Sequence, residues 1–80
     1  MIINSSPLAQ VIVAELRAEI GRQMKTNREI AHMIGLAPET VSRKIKGQKK
    51  LTFDEFFDLC EALHLDPAVV IASAREGVSA

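Results

Sequence analysis

Thr26-Asn-Arg-Glu-Ile-Ala-His-Met-Ile-Gly-Leu-Ala-Pro-Glu-Thr-Val-Ser-Arg43, continued by Lys44-Ile-Lys-Gly47, is the stretch that decides the fold. Thr26 with Glu29 three residues on forms a capping box, in which each side chain satisfies the other's orphan backbone donor at a helix start. Ile30, Ala31 and Ile34 supply the apolar face of a short helix, and Gly35 closes it where left-handed backbone is needed. Only Leu36 and Ala37 separate Gly35 from Pro38, which suits the first position of another helix. That helix runs from Pro38 to Ile45, with Val41 and Ile45 facing inward and Gly47 as its stop. Two helices of about eight residues joined by so short a turn cannot lie antiparallel, so they cross steeply. Ala31 is small where the second element must approach, and Ile30, Ile34, Leu36 and Val41 form the shared seam.

The flanking sequence is punctuated in the same way. Ser6-Pro7 opens a first helix, along which Leu8, Ile12, Leu16, Ile20 and Met24 recur every fourth residue, widened by Val11. After a basic connection over 48–51, Thr52 and Glu55 make a second capping box, and Phe53, Phe56, Cys60 and Leu63 line one face of a fourth helix. Asp66-Pro67 starts a fifth, whose residues 68–74 are apolar almost all round and must be either deeply buried or covered by a partner. No segment alternates as a strand does. The expectation is an all-α, compact five-helix fold: one domain over residues 1–80, with an N-terminal arm over 1–6 and a helix-turn-helix unit over about 27–46.

Composition excludes several classes. Ten basic and ten acidic side chains cancel, a balance that by itself argues against a nucleic-acid binder. The cancellation hides a gradient. Residues 22–50 hold eight Lys or Arg against Glu29 and Glu39, whereas residues 51–80 hold Arg75 against six acids. The basic third coincides with the crossing helices, and Asp54, Glu55, Asp58 and Glu61 form an acidic band on the fourth helix that is solvated and keeps that face away from a polyanion. The single cysteine, Cys60, allows no internal disulfide and fits the reducing cytoplasm. Cys60 and His64, four apart, are two ligands where a metal site needs more; Cys60 reads as core and His64 as a helix-end cation. The start lacks the pattern of a signal peptide, and no apolar run reaches the roughly 20 residues needed to span a bilayer. No phosphate-cradling glycine loop and no nucleophile with a partnered base are present, so no enzyme activity and no cofactor are expected.

The stretch Thr26–Arg43 resembles the Cro/repressor type of helix-turn-helix, as found in lambda-repressor-like domains. The likeness runs on through Thr40-Val-Ser-Arg-Lys-Ile-Lys-Gly47, Leu51-Thr-Phe-Asp-Glu55 and Cys60-Glu-Ala-Leu63, and is similar to small repressors of actinobacteria and their phages. Asn27 stands where many relatives carry Gln, Pro38 where several present a base-reading Gln, and Lys46 where Asn is frequent. The resemblance implies that the third helix enters the major groove of double-stranded DNA. It implies a sequence-specific transcriptional regulator, a small repressor of the phage-immunity or Cro-like kind, acting by operator occupancy in a bacterial cytoplasm. No membrane and no small-molecule substrate are implied; a homodimer on a palindromic operator and a monomer on an asymmetric site both stay open. A two-fold dimer would use the apolar C-terminal helix or the Ile2–Ile3 arm. The alternative from another class is a protein-interaction module, such as an antitoxin or antirepressor-like adaptor, using the apolar C-terminal helix on a protein partner.

A helical wheel assigns roles within the third helix. At about 100° per residue the core direction falls between Val41 and Ile45, and Ser42, Lys46, Glu39 and Arg43 lie opposite. Arg43 is the expected guanine reader, with Glu39 and Ser42 modulating it. Asn27, Arg28, Thr40, Lys44, Lys46, Lys49 and Lys50 are the expected phosphate contacts. Glu39 and Arg43, one turn apart, can also pair with each other, an arrangement that would orient the arginine.

Overall fold

The computed structural model describes residues 6–79, so residues 1–5 of the expected arm, Ile2 and Ile3 included, lie outside the described residues. Five helices follow one another: α1 (Pro7–Arg22), α2 (Asn27–Ile34), α3 (Pro38–Ile45), α4 (Phe53–Ala62) and α5 (Pro67–Ser79). Their starts obey the capping chemistry of the sequence. The Ser6 hydroxyl accepts from the Ala9 N–H at 3.3 Å, and both threonine capping boxes are formed reciprocally. The N-cap of α3, Ala37, offers no side-chain bond; there Pro38 removes one donor and presets the helical φ instead.

All four internal helix ends turn through one left-handed residue and are closed by a backbone bond that reaches back five residues; Met24, Gly47 and His64 add a bond to the third residue back, whereas Gly35 donates to Ala31 O. The bond over five residues runs from Lys25 N–H to Ile20 O (3.1 Å), Leu36 to Ala31 (3.0 Å), Gln48 to Arg43 (2.8 Å) and Leu65 to Cys60 (2.8 Å). The turning residues are Met24, Gly35, Gly47 and His64, with φ of 56°, 75°, 77° and 58°. Two of the four are glycines, for which this conformation costs little; the other two carry a Cβ against it.

Leu16, Ile20, Ile30, Ala31, Val41, Ile45, Phe56, Leu59, Cys60, Leu63 and Val70 form one buried cluster drawn from all five helices. α1 packs against α5 and α3, while α2 packs against α3 and α4. Phe56 is the one aromatic residue in this cluster, so aliphatic side chains fill the remainder.

Three expectations change. α1 stops at Arg22, and Met24, the last residue of its apolar stripe, is 87% exposed in the left-handed turn. The stripe ends a turn early because the closing motif turns the chain away. Phe53 is 83% exposed although it was expected on the inner face of α4. It is the first helical residue, one turn before Phe56, where no neighbouring element covers it. α5 runs five residues past Ala74 and is neither deeply buried nor wholly uncovered: Val70 and Ala74 are buried, Ile71 is half-buried, and Val69 is exposed.

Candidate nucleic-acid interface

The crossing of α2 and α3 rests on Ile30, Ala31 and Val41, each at most 2% exposed. Ile34 and Leu36 are half-buried against the same core, and Gly35 turns the chain between the helices. With Val41 and Ile45 facing the core, the other side of α3 is left to solvent. Glu39, Arg43 and Lys46 are exposed there, and Thr40 and Ser42 are half-buried at its margins. Arg28 is exposed and Asn27 half-buried at the start of α2; Lys49 and Lys50 are exposed in the connection that leaves α3. These side chains form a basic surface around the outer side of α3.

Arg43 and Glu39 are paired, Nη2 to Oε1 at 3.0 Å, with 59% and 77% of their side chains accessible. A pair this exposed contributes at most a fraction of a kcal/mol, about 0.3–0.5 for helical neighbours. Such a bond orients the guanidinium without holding it against competition from a guanine edge or a phosphate.

Lys44 corrects the sequence reading. Expected among the phosphate contacts, it is 6% exposed and paired with Glu55 of α4 through both carboxylate oxygens. Its wheel position explains why: it lies roughly 80° from the core direction, on the flank that α4 covers rather than on the outer face. A buried ammonium needs a partner, and Glu55 supplies one. Burial pushes the Glu55 carboxyl up, but hydrogen bonds from Lys44 and from Thr52 outweigh it and hold the group below the usual carboxylate range. Glu55 therefore has two duties: it completes the α4 cap by accepting from the Thr52 N–H at 2.8 Å, and it neutralises Lys44.

A second cross-helix contact was not legible in the sequence. Arg17 of α1 donates from Nη1 to the carbonyl oxygen of Ile45 at 2.8 Å, satisfying one of the orphan acceptors at the C-terminal end of α3. In the sequence Arg17 is one exposed helical cation among others, and only the packing of α1 on α3 reveals its target.

Cys60 is buried in the core, where burial and the nearby Asp66 charge push its thiol up, away from reactivity. His64 is exposed at the closing turn of α4. Among the described residues no group of three or more His, Cys, Asp or Glu side chains could hold a metal ion, and no helix is long and apolar enough to cross a membrane.

Comparison with curated proteins and with solved structures yields no match. A family model described as helix-turn-helix matches residues 13–70, from the second turn of α1 to the first turn of α5. That span contains the crossing helices, the basic connection and the whole of α4, the same elements that build the surface just described. The chain belongs to the helix-turn-helix family of lambda Cro/repressor-like domains, a family of DNA-binding transcription regulators.

Proposed function

We propose that this protein is a sequence-specific regulator that inserts α3 into the major groove of its operator, and that it acts as a small repressor of the phage-immunity or Cro-like kind. One observation carries the reading: Glu39, Arg43 and Lys46 project together from the side of α3 opposite Val41 and Ile45. Arg43 reads a guanine, with Glu39 and Ser42 adjusting the choice of neighbouring bases. Asn27, Arg28, Thr40, Lys46, Lys49 and Lys50 grip phosphates and set the register. Repression follows from occupancy, with no bond made or broken and no cofactor required. The chain works as one domain, its helix-turn-helix unit spanning about residues 27–46.

Two copies related by a two-fold axis read half-sites about one helical turn, roughly 34 Å, apart; a single copy reads an asymmetric site. Selection of binding sites from random double-stranded DNA, followed by titration with salt, tests the whole reading. A recurrent motif is expected, palindromic if the protein pairs, with affinity falling about 0.9 log units per log unit of salt for each phosphate neutralised. Arg43→Ala is expected to relax choice at one base pair at a cost of about 1–3 kcal/mol, whereas Lys49→Ala weakens all sequences alike. Identical behaviour of the two variants on every sequence overturns the assigned roles.

A flat salt response would favour the other reading, a protein-interaction module acting through α5. The exposed apolar residues of that helix give it less support. Val69 and Val78 are 62% and 44% exposed, but they lie about 180° apart around the helix and make no single apolar face.

A further inference from the structure

The buried charge pair between α3 and α4 calls for a reason. Lys44 replaces what could be an apolar residue beside Val41 and Ile45, and its burial withdraws a cation from the basic surface. Replacing a buried pair of this type with apolar side chains is often neutral or stabilising, so stability alone is a poor explanation. What such a pair does supply is a directional contact where apolar packing would allow sliding. Its location is informative. Lys44 directly follows Arg43, the central residue of the outer face, and lies one turn beyond Thr40. Its partner is fixed independently, because Glu55 also accepts from the Thr52 N–H at the start of α4. From the other side, Arg17 holds the Ile45 carbonyl at 2.8 Å. The C-terminal half of α3 is thus tied to α4 by one side chain and to α1 by another, while its N-terminal end has no side-chain cap.

We propose that Lys44 and Glu55 are positioning residues for sequence reading: their pair fixes the rotation and pitch of α3, and with it the bases that Glu39, Ser42 and Arg43 meet. The inference rests on the DNA-reading assignment of α3. It separates two properties usually lost together, since loosening α3 degrades discrimination between sequences more than it degrades adhesion to phosphates.

The test uses the full chain with Lys44→Met combined with Glu55→Gln, and Glu55→Gln alone; the glutamine oxygen can still accept from the Thr52 N–H. Each variant is assayed for thermal melting, for affinity to the best selected DNA and to random DNA, and for salt dependence. The double variant is expected to melt cooperatively and keep the wild-type salt slope, while the ratio of specific to random affinity falls about tenfold or more. Glu55→Gln alone is expected to lose several-fold of that ratio, and Lys44→Arg, which keeps the charge pair, to retain most of it. A purely structural role would lower the active fraction for all sequences equally and leave the ratio unchanged. A folded double variant with wild-type discrimination overturns the proposal. Should the double variant fail to fold, an unchanged ratio for Glu55→Gln overturns it. Wild-type protein that selects no sequence removes the DNA-reading assignment itself, a result distinct from selective wild type with equally selective variants.

Discussion

Gln23, the residue after α1, donates from Nε2 to the carbonyl oxygen of Leu63 at 2.7 Å, joining positions 40 apart in the chain. The same amide group reaches Glu19 Oε1 at 3.0 Å, so one side chain satisfies the end of α4 and is itself steadied by α1. Together with Arg17 on Ile45, it makes α1 and its C-cap the source of polar contacts to the ends of two other helices.

Removing that amide has a defined consequence. Gln23→Ala leaves the Leu63 carbonyl without this donor and is expected to cost about 1 kcal/mol. In a domain of this size that lowers the melting temperature by roughly 4–8 °C. Gln23→Glu is expected to be worse at neutral pH, because a carboxylate would face both a carbonyl oxygen and Glu19. Thermal melting of the two variants beside wild type checks the order.

The four left-handed turning residues make opposite predictions by residue type. Met24 is 87% exposed, so Met24→Gly loses little packing and relieves a backbone conformation unfavourable to any Cβ. It is expected to stabilise by about 1 kcal/mol, and His64→Gly by a similar amount. Gly35→Ala should cost about the same. A Cβ built at Gly35 meets nothing within 4 Å, so that loss isolates backbone strain from crowding. Chemical denaturation of the three variants measures all three signs.

Acid should reach the Lys44–Glu55 pair through the carboxylate. The Glu55 pKa is lowered in the folded protein from its ordinary 4.5. A depressed folded pKa contributes stability that is present above the unfolded value and is lost as pH falls through the folded one. The stability difference between wild type and Glu55→Gln is therefore expected to be constant above about pH 5 and to shrink below about pH 4. Urea midpoints measured across pH 3–7 for both proteins give the comparison.

The helix crossing can be tested by volume. Ala31 of α2 is 2% exposed in the core that α2 shares with α3. Ala31→Leu is expected to force the helices apart at a cost of about 1–3 kcal/mol. Loss of DNA affinity should accompany the lowered midpoint. A wild-type melting temperature would contradict the packing described.

Where the chain announces its own local chemistry, it could be read directly. Thr26 with Glu29, Thr52 with Glu55, Pro38, Gly35 and Gly47 each act on backbone within a few residues, and so mark the limits of α2, α3 and the start of α4. Met24 and His64 perform the same turn as the two glycines, yet neither residue type signals it; only the hydrogen bonds of the finished helix end impose it. Lys44 was misread for a related reason. Its nature was plain, but its partner comes from another helix 11 residues on, and a wheel drawn for α3 alone says nothing of what covers its flank. Glu55 was legible as a cap and not as a counterion. Arg17 lay further from view, 28 residues from the carbonyl it holds, and Gln23 further still, 40 residues from the Leu63 carbonyl. Chemistry acting within one turn was visible, as was the apolar seam between α2 and α3; polar contacts between helices were not.

The abrupt helix endings bear on time as well as shape. Because each helix closes within a residue or two, the connections occupy only 23–26, 35–37, 46–52 and 63–66. Contacts in such an all-helical chain are mostly local, and domains with that topology fold in microseconds to milliseconds. The domain is then folded almost as soon as its synthesis ends, with no slow maturation step between synthesis and activity.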